Sequence, residues 1–295
     1  RPDRLIAVRD PQGIRPLALG ELDNGGYVVA SETCAMDILD AKYVRDIEPG
    51  EIVTITEEGI HSDRPFAKVQ TAYCVFENIY FSRPDSMDAS GRSIYDLRVD
   101  LGRELVKEHP VEADVVVGVP DSAIPAAIGY AHESGIPFEL GLIRNHYIGR
   151  TFIEPEQSIR DFGAKIKYNP VRGVLEGKRI VVVDDSIVRG TTCRKIVKML
   201  RGAGAKEVHV RSSAPPLLHP CYYGVDTPSY EELVAAQHSI PEIAEQIKAD
   251  SLGYLSIKGL QNVMPGHQPY CLACFNGEYV VGKPDDGFTK NIMEA

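Results

Sequence analysis

The sequence lacks the features that would place it in a membrane or a secretory pathway. No apolar run approaches the roughly 20 residues of a membrane span. The richest runs, Ala113–Val119 and Ile180–Val183, have only the length of a strand. The chain opens Arg1-Pro2-Asp3-Arg4, without a signal peptide or an initiator methionine. We therefore expect a mature or truncated chain with no membrane partner and a cytoplasmic location.

Positive charge is also scarce. The 32 Lys and Arg residues are outnumbered by 42 Asp and Glu, which gives a formal net charge of −10. A chain this acidic is a poor bulk ligand for nucleic acid or an anionic membrane. We expect no nucleic-acid partner, although a local site can still bind an anion.

The six cysteines do not indicate a disulfide scaffold, because the chain shows no secretory signal. Cys271-Leu-Ala-Cys274 is a C-x-x-C pair, which alone is typical of either a redox or a structural role. Together with Cys74 and Cys221 it could supply four thiolates to zinc or to an iron–sulfur cluster, and the spacing does not choose between them. Cys34 and Cys193 fall in helical patterns, where core thiols are expected.

The length of 295 residues suggests about two domains. The pattern predicts boundaries at 1–71, 72–227 and 228–295. The first segment shows short strands with turn signals, and the middle segment alternates helices and strands, which predicts an α/β class with a largely parallel sheet. The third segment begins with helical patterns.

The predicted elements are as follows. Strands are predicted at Leu5–Val8, Leu17–Gly20, Tyr27–Ala30, Glu51–Thr56, Gly59–Ser62, Ala113–Val119, Phe138–Leu142, Arg179–Val183 and Glu207–Val210. Helices are predicted at Glu32–Ala41, Arg92–His109, Pro125–Ser134, Thr191–Ala203, Ser229–Gln237, Ile240–Ala249 and Tyr254–Asn262.

The segment Arg179–Thr192 has the clearest chemistry. A buried strand ends in Asp184 and Asp185, and a loop with Ser, Gly and two Thr then opens a helix. Backbone N–H groups and hydroxyls at a helix N-terminus bind phosphate. The adjacent carboxylates suit ribose hydroxyls or a Mg²⁺ ion that the ligand brings. The pattern therefore indicates a sugar phosphate, and the alternative is an ordinary strand–turn–helix with acidic turn residues.

This segment resembles the signature of type I phosphoribosyltransferases, which bind 5-phosphoribosyl 1-pyrophosphate (PRPP). Other motifs resemble those of the glutamine PRPP amidotransferase family along nearly the whole chain. These motifs are Ser31-Glu-Thr-Cys-Ala, Glu77-Asn-Ile-Tyr-Phe-Ser-Arg-Pro-Asp-Ser, Val119-Pro-Asp-Ser, Gly149-Arg-Thr-Phe-Ile and Tyr254-Leu-Ser-Ile. The resemblance implies a type I phosphoribosyltransferase fold preceded by part of an α+β N-terminal-nucleophile glutaminase domain.

The resemblance also implies roles for particular residues. The 5′-phosphate would lie in a loop formed by Ser186, Ile187, Val188, Arg189, Gly190, Thr191 and Thr192. Pro120, Asp121 and Ser122 match the pyrophosphate loop, although a Pro-Asp-Ser turn after a strand is also a common structural feature. Ser122, Asp184 and Asp185 would hold Mg²⁺.

A long polar segment, Tyr147–Val171, matches the flexible loop of the family. Its cations are Arg150, Arg160, Lys165 and Lys167. Composition alone equally fits a solvated charged loop. The resemblance implies a lid that stabilises the leaving pyrophosphate and excludes water, with Arg150 and Lys165 as catalytic residues.

One branch of the family holds a [4Fe–4S] cluster at cysteines that match Cys74, Cys221, Cys271 and Cys274. The family further implies a homotetramer, PRPP with ammonia or glutamine as substrates, and feedback inhibition by purine nucleotides. The product would be 5-phosphoribosylamine, made in the first step of purine synthesis.

The first 71 residues match only the C-terminal part of the glutaminase domain, without its N-terminal cysteine nucleophile. We therefore expect transfer from ammonia but not from glutamine. Two other readings are a phosphoribosyltransferase that uses a purine base and a non-catalytic regulator that senses PRPP or nucleotides on the same fold. The long match outside the phosphate loop argues against the first, and the basic lid argues against the second.

Overall fold

The computed structural model describes residues 3–88, 90–145, 167–264, 266 and 269–283. The chain divides into two units, and each is described by itself. The first comprises the described residues of 1–95, 221–225 and 265–295, and the second comprises those of 96–220 and 226–264.

This division differs from the three consecutive domains expected from sequence. The tail joins the first unit because a strand within it pairs with a strand near Tyr73. Residues 226–264 join the second unit because a strand that ends at Tyr254 extends its sheet. Both pairings link segments far apart in sequence, which local patterns do not reveal.

The first unit contains two small antiparallel sheets. Its elements in chain order are β1 (Leu5–Val8), β2 (Ala18–Glu21), β3 (Tyr27–Ala30), α1 (Cys34–Ile38), β4 (Lys42–Asp46), β5 (Ile52–Thr56), β6 (Gly59–Asp63), β7 (Tyr73–Cys74) and a π-helical turn over Glu77–Phe81. One sheet has the order β1-β5-β6 and the other β3-β2-β4. Their shared core holds Ala7, Leu19, Ile47, Val53 and Ile55. This arrangement is consistent with the α+β part that the resemblance implied.

The second unit is built on a four-stranded parallel sheet. Its elements are α2 (Ile94–Glu108), β8 (Val115–Gly118), α3 (Ile124–Ser134), β9 (Leu142–Arg144), β10 (Tyr168–Pro170), α4 (Arg172–Leu175), β11 (Arg179–Asp184), α5 (Thr191–Gly202), β12 (Glu207–Ser212), α6 (Val234–Gln237), α7 (Ile240–Ile247), β13 (Ser251–Tyr254) and α8 (Ile257–Val263). The sheet order is β13-β12-β11-β8, and each neighbouring pair is parallel.

The central strands explain why the sheet is parallel and buried. Val115, Val117, Ile180 and Val182 are almost fully buried and belong to one core cluster. An apolar run of this kind is typical of a strand covered by helices on both faces. Polar side chains can therefore face a ligand only beyond the ends of these strands.

Glycines let α2 and α3 cross closely. A Cβ added at Gly102 would overlap the Ala126 carbonyl oxygen, and one added at Gly129 would overlap the Val99 carbonyl oxygen. No side chain fits at either position. The contact fixes α3, which follows the loop after β8.

The tail supplies two short elements to the first unit, β14 (Tyr270–Cys271) and α9 (Ala273–Asn276). β14 lies parallel to β7 and pairs Tyr270 with Tyr73. Their rings meet edge to face at 6.1 Å. The tail is thus attached to the segment that follows the two antiparallel sheets.

Most predicted elements are present with shifts of a few residues at their ends. Three predictions differ more. The strand expected at Phe138–Leu142 begins at Leu142, and Phe138 makes only an isolated bridge to Val116. The helix expected over Tyr254–Asn262 starts at Ile257, because Tyr254 ends β13. The helix expected at Ser229–Gln237 is a 3₁₀ turn, Tyr230–Glu232, followed by α6.

Among the described residues, no helix is long and apolar enough to cross a bilayer.

Candidate functional site

The loops after β8 and β11 meet at one edge of the parallel sheet. The register pairs Gly118 with Val183, and the Val119 amide donates to the Val183 carbonyl at 2.9 Å. Neighbouring parallel strands end at the same edge, and ligands of α/β sheets bind there. The two predicted loops, Pro120–Ser122 and Asp184–Thr192, therefore lie side by side.

Asp185 joins the two loops. The Ser122 hydroxyl donates to one oxygen of its carboxylate, and the Ser186 hydroxyl donates to the other at 2.7 Å. Burial raises the pKa of Asp185, whereas the two hydroxyls and the charge of Arg98 oppose that shift. Arg98 lies on α2 and is 2% exposed. The helical pattern of α2 gave no sign that this arginine faces the acidic edge.

Asp184 lies beside Asp185, and its ionised form is electrostatically unfavourable. Burial, and after it the charge of Asp185, raise the pKa of Asp184 well above its ordinary value. The Asp185 amide donates to an Asp184 oxygen at 3.0 Å. Two neighbouring carboxylates that burial penalises favour a bound cation. With the Ser122 hydroxyl they form an oxygen set that suits Mg²⁺ held partly by substrate phosphates.

Cations from the β9–β10 hairpin face this acidic edge. Arg144 forms an ion pair with Asp121. Burial, and then the charge of Arg144, lower the pKa of Lys167, while Asp184, Asp185 and Asp121 oppose that shift. The sequence pattern identifies Lys167 as a loop cation but not Arg144, because the predicted strand stops before Arg144.

Tyr168 is the other residue of this hairpin that the sequence did not single out. Its hydroxyl donates to the Pro120 carbonyl at 3.2 Å and so supports the Pro-Asp-Ser loop. Tyr168 pairs with Arg144 in the register of β9 and β10. The last residues of the predicted lid, 168–170, therefore form a strand. Arg150, Arg160 and Lys165 lie outside the described residues.

The loop 186–190 leads into the N-terminus of α5. Gly190 adopts a left-handed backbone with φ of 73°, and no side chain caps this end of the helix. The N–H groups of the first turn therefore have no side-chain acceptor, which leaves them suited to a phosphate. Thr191 and Thr192 are exposed beside them.

Three predicted loop residues make their contacts elsewhere. Ile187 is 2% exposed and packs in the core. The Val188 carbonyl accepts from the Val234 amide at 3.0 Å. Arg189 donates to a Glu232 oxygen at 2.9 Å, and this bond lowers the pKa of Glu232. The groups left to face a ligand are the Ser186, Thr191 and Thr192 hydroxyls and backbone amides.

The four predicted metal-ligating cysteines come together in the first unit. Cys74 and Cys271 are direct partners in the β7–β14 pair. Burial, and then the thiols of Cys74, Cys221 and Cys271, raise the pKa of Cys274. Burial, and then the charge of Glu77, raise the pKa of Cys74 to about 12. The other three thiols thus lie within electrostatic range of Cys274.

None of the six cysteines, all of which lie in the described part of the chain, forms a disulfide. Cys34 and Cys193 are each 5% exposed, which confirms their prediction as buried thiols. Within the described ranges, no three His, Cys, Asp or Glu side chains lie close enough to hold one metal ion.

A cavity of about 600 Å³ lies in the first unit and does not coincide with either cluster. Its lining mixes both signs of charge and includes Arg9, Glu32, Asp46 and Arg64. None of the predicted site residues that the structure describes lines it. The volume of this cavity therefore does not mark the candidate sites, which lie at the acidic edge of the parallel sheet and at the four cysteines.

A parallel sheet with an acidic edge and an uncapped helix N-terminus defines a class of proteins that bind phosphorylated ligands at the strand ends. The family model described as "Phosphoribosyl transferase domain" matches residues 91–243. The chain belongs to this family, and the predicted type I phosphoribosyltransferase fold is confirmed.

The chain is similar to amidophosphoribosyltransferases, as its motifs predicted. It is 55% identical to amidophosphoribosyltransferase 1, chloroplastic, of Arabidopsis thaliana over 285 residues, 96% of this chain and 50% of the relative. It is 51% identical to the amidophosphoribosyltransferase of Bacillus subtilis over 296 residues, 99% of this chain and 62% of the relative. The chain thus spans between 50% and 62% of the length of these relatives.

A solved structure agrees with this similarity. The glutamine PRPP amidotransferase from B. subtilis, complexed with ADP and GMP, superposes with a TM-score of 0.85 at 53% identity. The match covers 94% of this chain and 62% of that chain.

Proposed function

We propose that the chain transfers nitrogen from ammonia to PRPP, with release of pyrophosphate, to give 5-phosphoribosylamine for purine synthesis. The observation that supports this most is the hydrogen bond from Ser122 to Asp185, which brings the Pro-Asp-Ser loop against the Asp-Asp-Ser loop. A ligand with a phosphate at one end and a pyrophosphate at the other can contact both loops at once.

Each part of PRPP has a matching group at the edge. The 5′-phosphate is bound by Ser186, by Thr191 and Thr192 and by the amides at the start of α5. Asp184 and Asp185 accept hydrogen bonds from the ribose hydroxyls. Pro120–Ser122 contacts the pyrophosphate.

Mg²⁺ is the metal we propose at Ser122, Asp184 and Asp185. The raised pKa of Asp184 fits this assignment, because two buried carboxylates are stabilised by a divalent cation. When bound, the ion neutralises charge on the pyrophosphate.

The reaction forms a C–N bond at the anomeric carbon as the bond from that carbon to the pyrophosphate oxygen breaks, with inversion. The attacking ammonia then loses a proton to solvent. Negative charge grows on the leaving oxygen, and nearby cations stabilise it. Arg144 and Lys167 are two of the described cations at this edge. Arg150 and Lys165 are proposed for the same role.

We also propose that Cys74, Cys221, Cys271 and Cys274 hold a [4Fe–4S] cluster. Four thiols that influence one another fit a cluster with one cysteine on each iron. A single zinc ion draws its four ligands closer together than a cluster does. The cluster would be structural or would sense oxygen, because the reaction transfers no electrons. Iron and sulfide analysis of anaerobically purified protein distinguishes it from zinc.

The remaining proposals concern partners. The B. subtilis relative is complexed with ADP and GMP, which supports purine nucleotides as feedback inhibitors of this chain. We further propose a homotetramer in a reducing, cytoplasmic compartment. Sedimentation with and without GMP tests the assembly and the nucleotide together.

The test of the reaction is pyrophosphate release from PRPP and Mg²⁺, first with ammonia and then with glutamine. Ammonia supplies the nucleophile directly, so it tests the transferase site alone. We expect release with ammonia, loss of release in Asp185→Asn and retention in Asp100→Asn, a surface control. Release with hypoxanthine instead of ammonia would favour a purine-base transferase. No release with any donor, from folded protein that binds PRPP, would favour the nucleotide-sensing regulator.

A further inference from the structure

The four clustered cysteines differ in their exposure. Cys74 and Cys271 are buried, whereas Cys221 and Cys274 are half-buried. A reagent that arrives from solvent therefore reaches Cys221 or Cys274 first, and access controls the reactivity of a thiol.

Tyr279 lies beside the two half-buried thiols. Burial, and then Tyr222 and the thiols of Cys221 and Cys274, raise the pKa of Tyr279. The Tyr279 ring is 5.2 Å from the Tyr222 ring and 6.0 Å from the Tyr223 ring. Three large, half-buried rings thus lie close together near the two half-buried thiols.

Tyr223 is fixed at both of its ends. Its backbone N–H donates to the Cys221 sulfur at 3.3 Å. Its hydroxyl accepts from the Val281 amide at 3.0 Å and donates to the Gly282 carbonyl at 3.1 Å. Tyr223 and Tyr279 also pack on the buried cluster that contains Cys271. The rings are therefore held in place by the same segment that supplies the thiols.

We propose that Tyr222, Tyr223 and Tyr279 form a tyrosine cover that shields Cys221 and Cys274, and with them any metal group bound there, from oxidants and chelators. Aromatic rings are large and apolar, so they exclude water and charged reagents from the sulfur atoms. The proposed shielding of the thiols does not depend on which metal group they hold. Its effect on cluster lifetime rests on the proposed [4Fe–4S] cluster, whose behaviour depends on solvent exposure.

The first experiment measures alkylation of the metal-free full chain. Iodoacetamide labelling is followed at each cysteine by mass spectrometry in the parent protein, in Tyr279→Ala and in Tyr279→Phe. We expect Tyr279→Ala to speed labelling of Cys221 and Cys274 roughly threefold or more, because the ring that limits access is gone. Tyr279→Phe keeps the ring and should label like the parent.

Tyr95→Ala is the matched control, because Tyr95 is an exposed tyrosine outside the cover, in the first turn of α2 at the boundary of the first unit. Circular dichroism and the labelling rate of buried Cys34 report whether each variant is folded. If Tyr279→Ala fails to fold, Tyr222→Ala replaces it, because Tyr222 contributes the neighbouring ring.

The second experiment measures iron release to a ferrous chelator, in air and without oxygen, from protein purified anaerobically. We expect faster release from Tyr279→Ala than from the parent, Tyr279→Phe or Tyr95→Ala. Iron-containing protein in which neither labelling nor iron release changes in Tyr279→Ala would overturn the cover. Faster labelling of Cys221 and Cys274 in protein that never contains iron would support the cover and overturn the proposed cluster.

Discussion

Ser122 and Asp185 are 63 positions apart, yet the Ser122 hydroxyl donates to the Asp185 carboxylate and ties together the two loops of the acidic edge. Ser122→Ala removes this bond while Asp185 keeps its bond to Ser186. We expect kcat/KM for PRPP to fall roughly tenfold to a hundredfold, because a preorganised polar contact is lost.

The controls for this substitution separate catalysis from folding. Ser122→Thr restores a hydroxyl and should recover part of the activity. Ser134 lies at the end of α3, and the control substitution Ser134→Ala should leave activity unchanged. A thermal midpoint for Ser122→Ala far below that of the parent would show that the serine acts mainly on stability.

We expect the ionised Asp184 side chain to lower the free energy of unfolding, although it contributes to ligand binding. Its raised pKa means that the folded state binds a proton more tightly than the unfolded state does. Stability from this group is therefore lost as the pH rises from the ordinary carboxyl value through the raised folded value. Asp184→Asn should increase the free energy of unfolding without Mg²⁺ by about 1 kcal/mol near neutral pH.

Urea unfolding in the presence of EDTA, at about pH 4 and about pH 8, checks this prediction. The gain should be larger at the higher pH. Equal stability of Asp184→Asn and the parent across this range would show that the carboxylate is not destabilising.

Glu51 is the opposite case in the first unit. It accepts two bonds from Arg45, at 2.7 and 2.8 Å, and one from Ser62 at 2.5 Å. The Arg45 bond, and the Ser62 and Glu48 groups after it, outweigh burial and lower the pKa of Glu51 to about 2. Its stabilisation is therefore present above the ordinary carboxyl pKa and is lost as the pH falls toward the folded value.

Glu51→Gln should lower the free energy of unfolding by about 2 kcal/mol at neutral pH, since Arg45 would lose its charged partner. The difference from the parent should shrink below about pH 4. Glu57→Gln, in an exposed turn, is the control. A difference that is independent of pH would point to lost packing rather than lost charge.

Gly129 and Gly202 are a matched pair of helical glycines. A Cβ at Gly129 would overlap the Val99 carbonyl, whereas a Cβ at Gly202 would meet nothing within 4 Å. Gly129→Ala should destabilise the protein by about 2 kcal/mol or more, because α2 and α3 must separate. Gly202→Ala should be neutral or slightly stabilising. Thermal unfolding of both variants measures the contrast, and equal midpoints would contradict the close crossing.

The parallel sheet was predictable because its strands are apolar runs and its helices have clear ends, such as Gly135 after α3. The acidic pair was predictable because it directly follows such a strand. Local patterns did not show that β13 extends the sheet or that β14 pairs with β7, since each pairing depends on a partner more than forty residues away.

The same limit applies to the candidate site. Asp184, Asp185 and Ser122 could be predicted because each follows a strand in a recognisable motif. Arg98 and Arg144 could not, because only the packing of a helix and a hairpin brings them to the acidic edge. Arg189 was expected in the phosphate loop, and the pairing of its side chain with Glu232 depends on a segment more than forty residues later.

The measurement that tests the central claim most directly is calorimetric binding of PRPP with and without Mg²⁺. The arrangement of Asp184, Asp185 and Ser122 predicts binding that requires Mg²⁺ and disappears in the double variant Asp184→Asn, Asp185→Asn. Asp100→Asn should bind like the parent. Binding of PRPP that needs no Mg²⁺ and survives the double substitution would contradict the placement of the site at this edge.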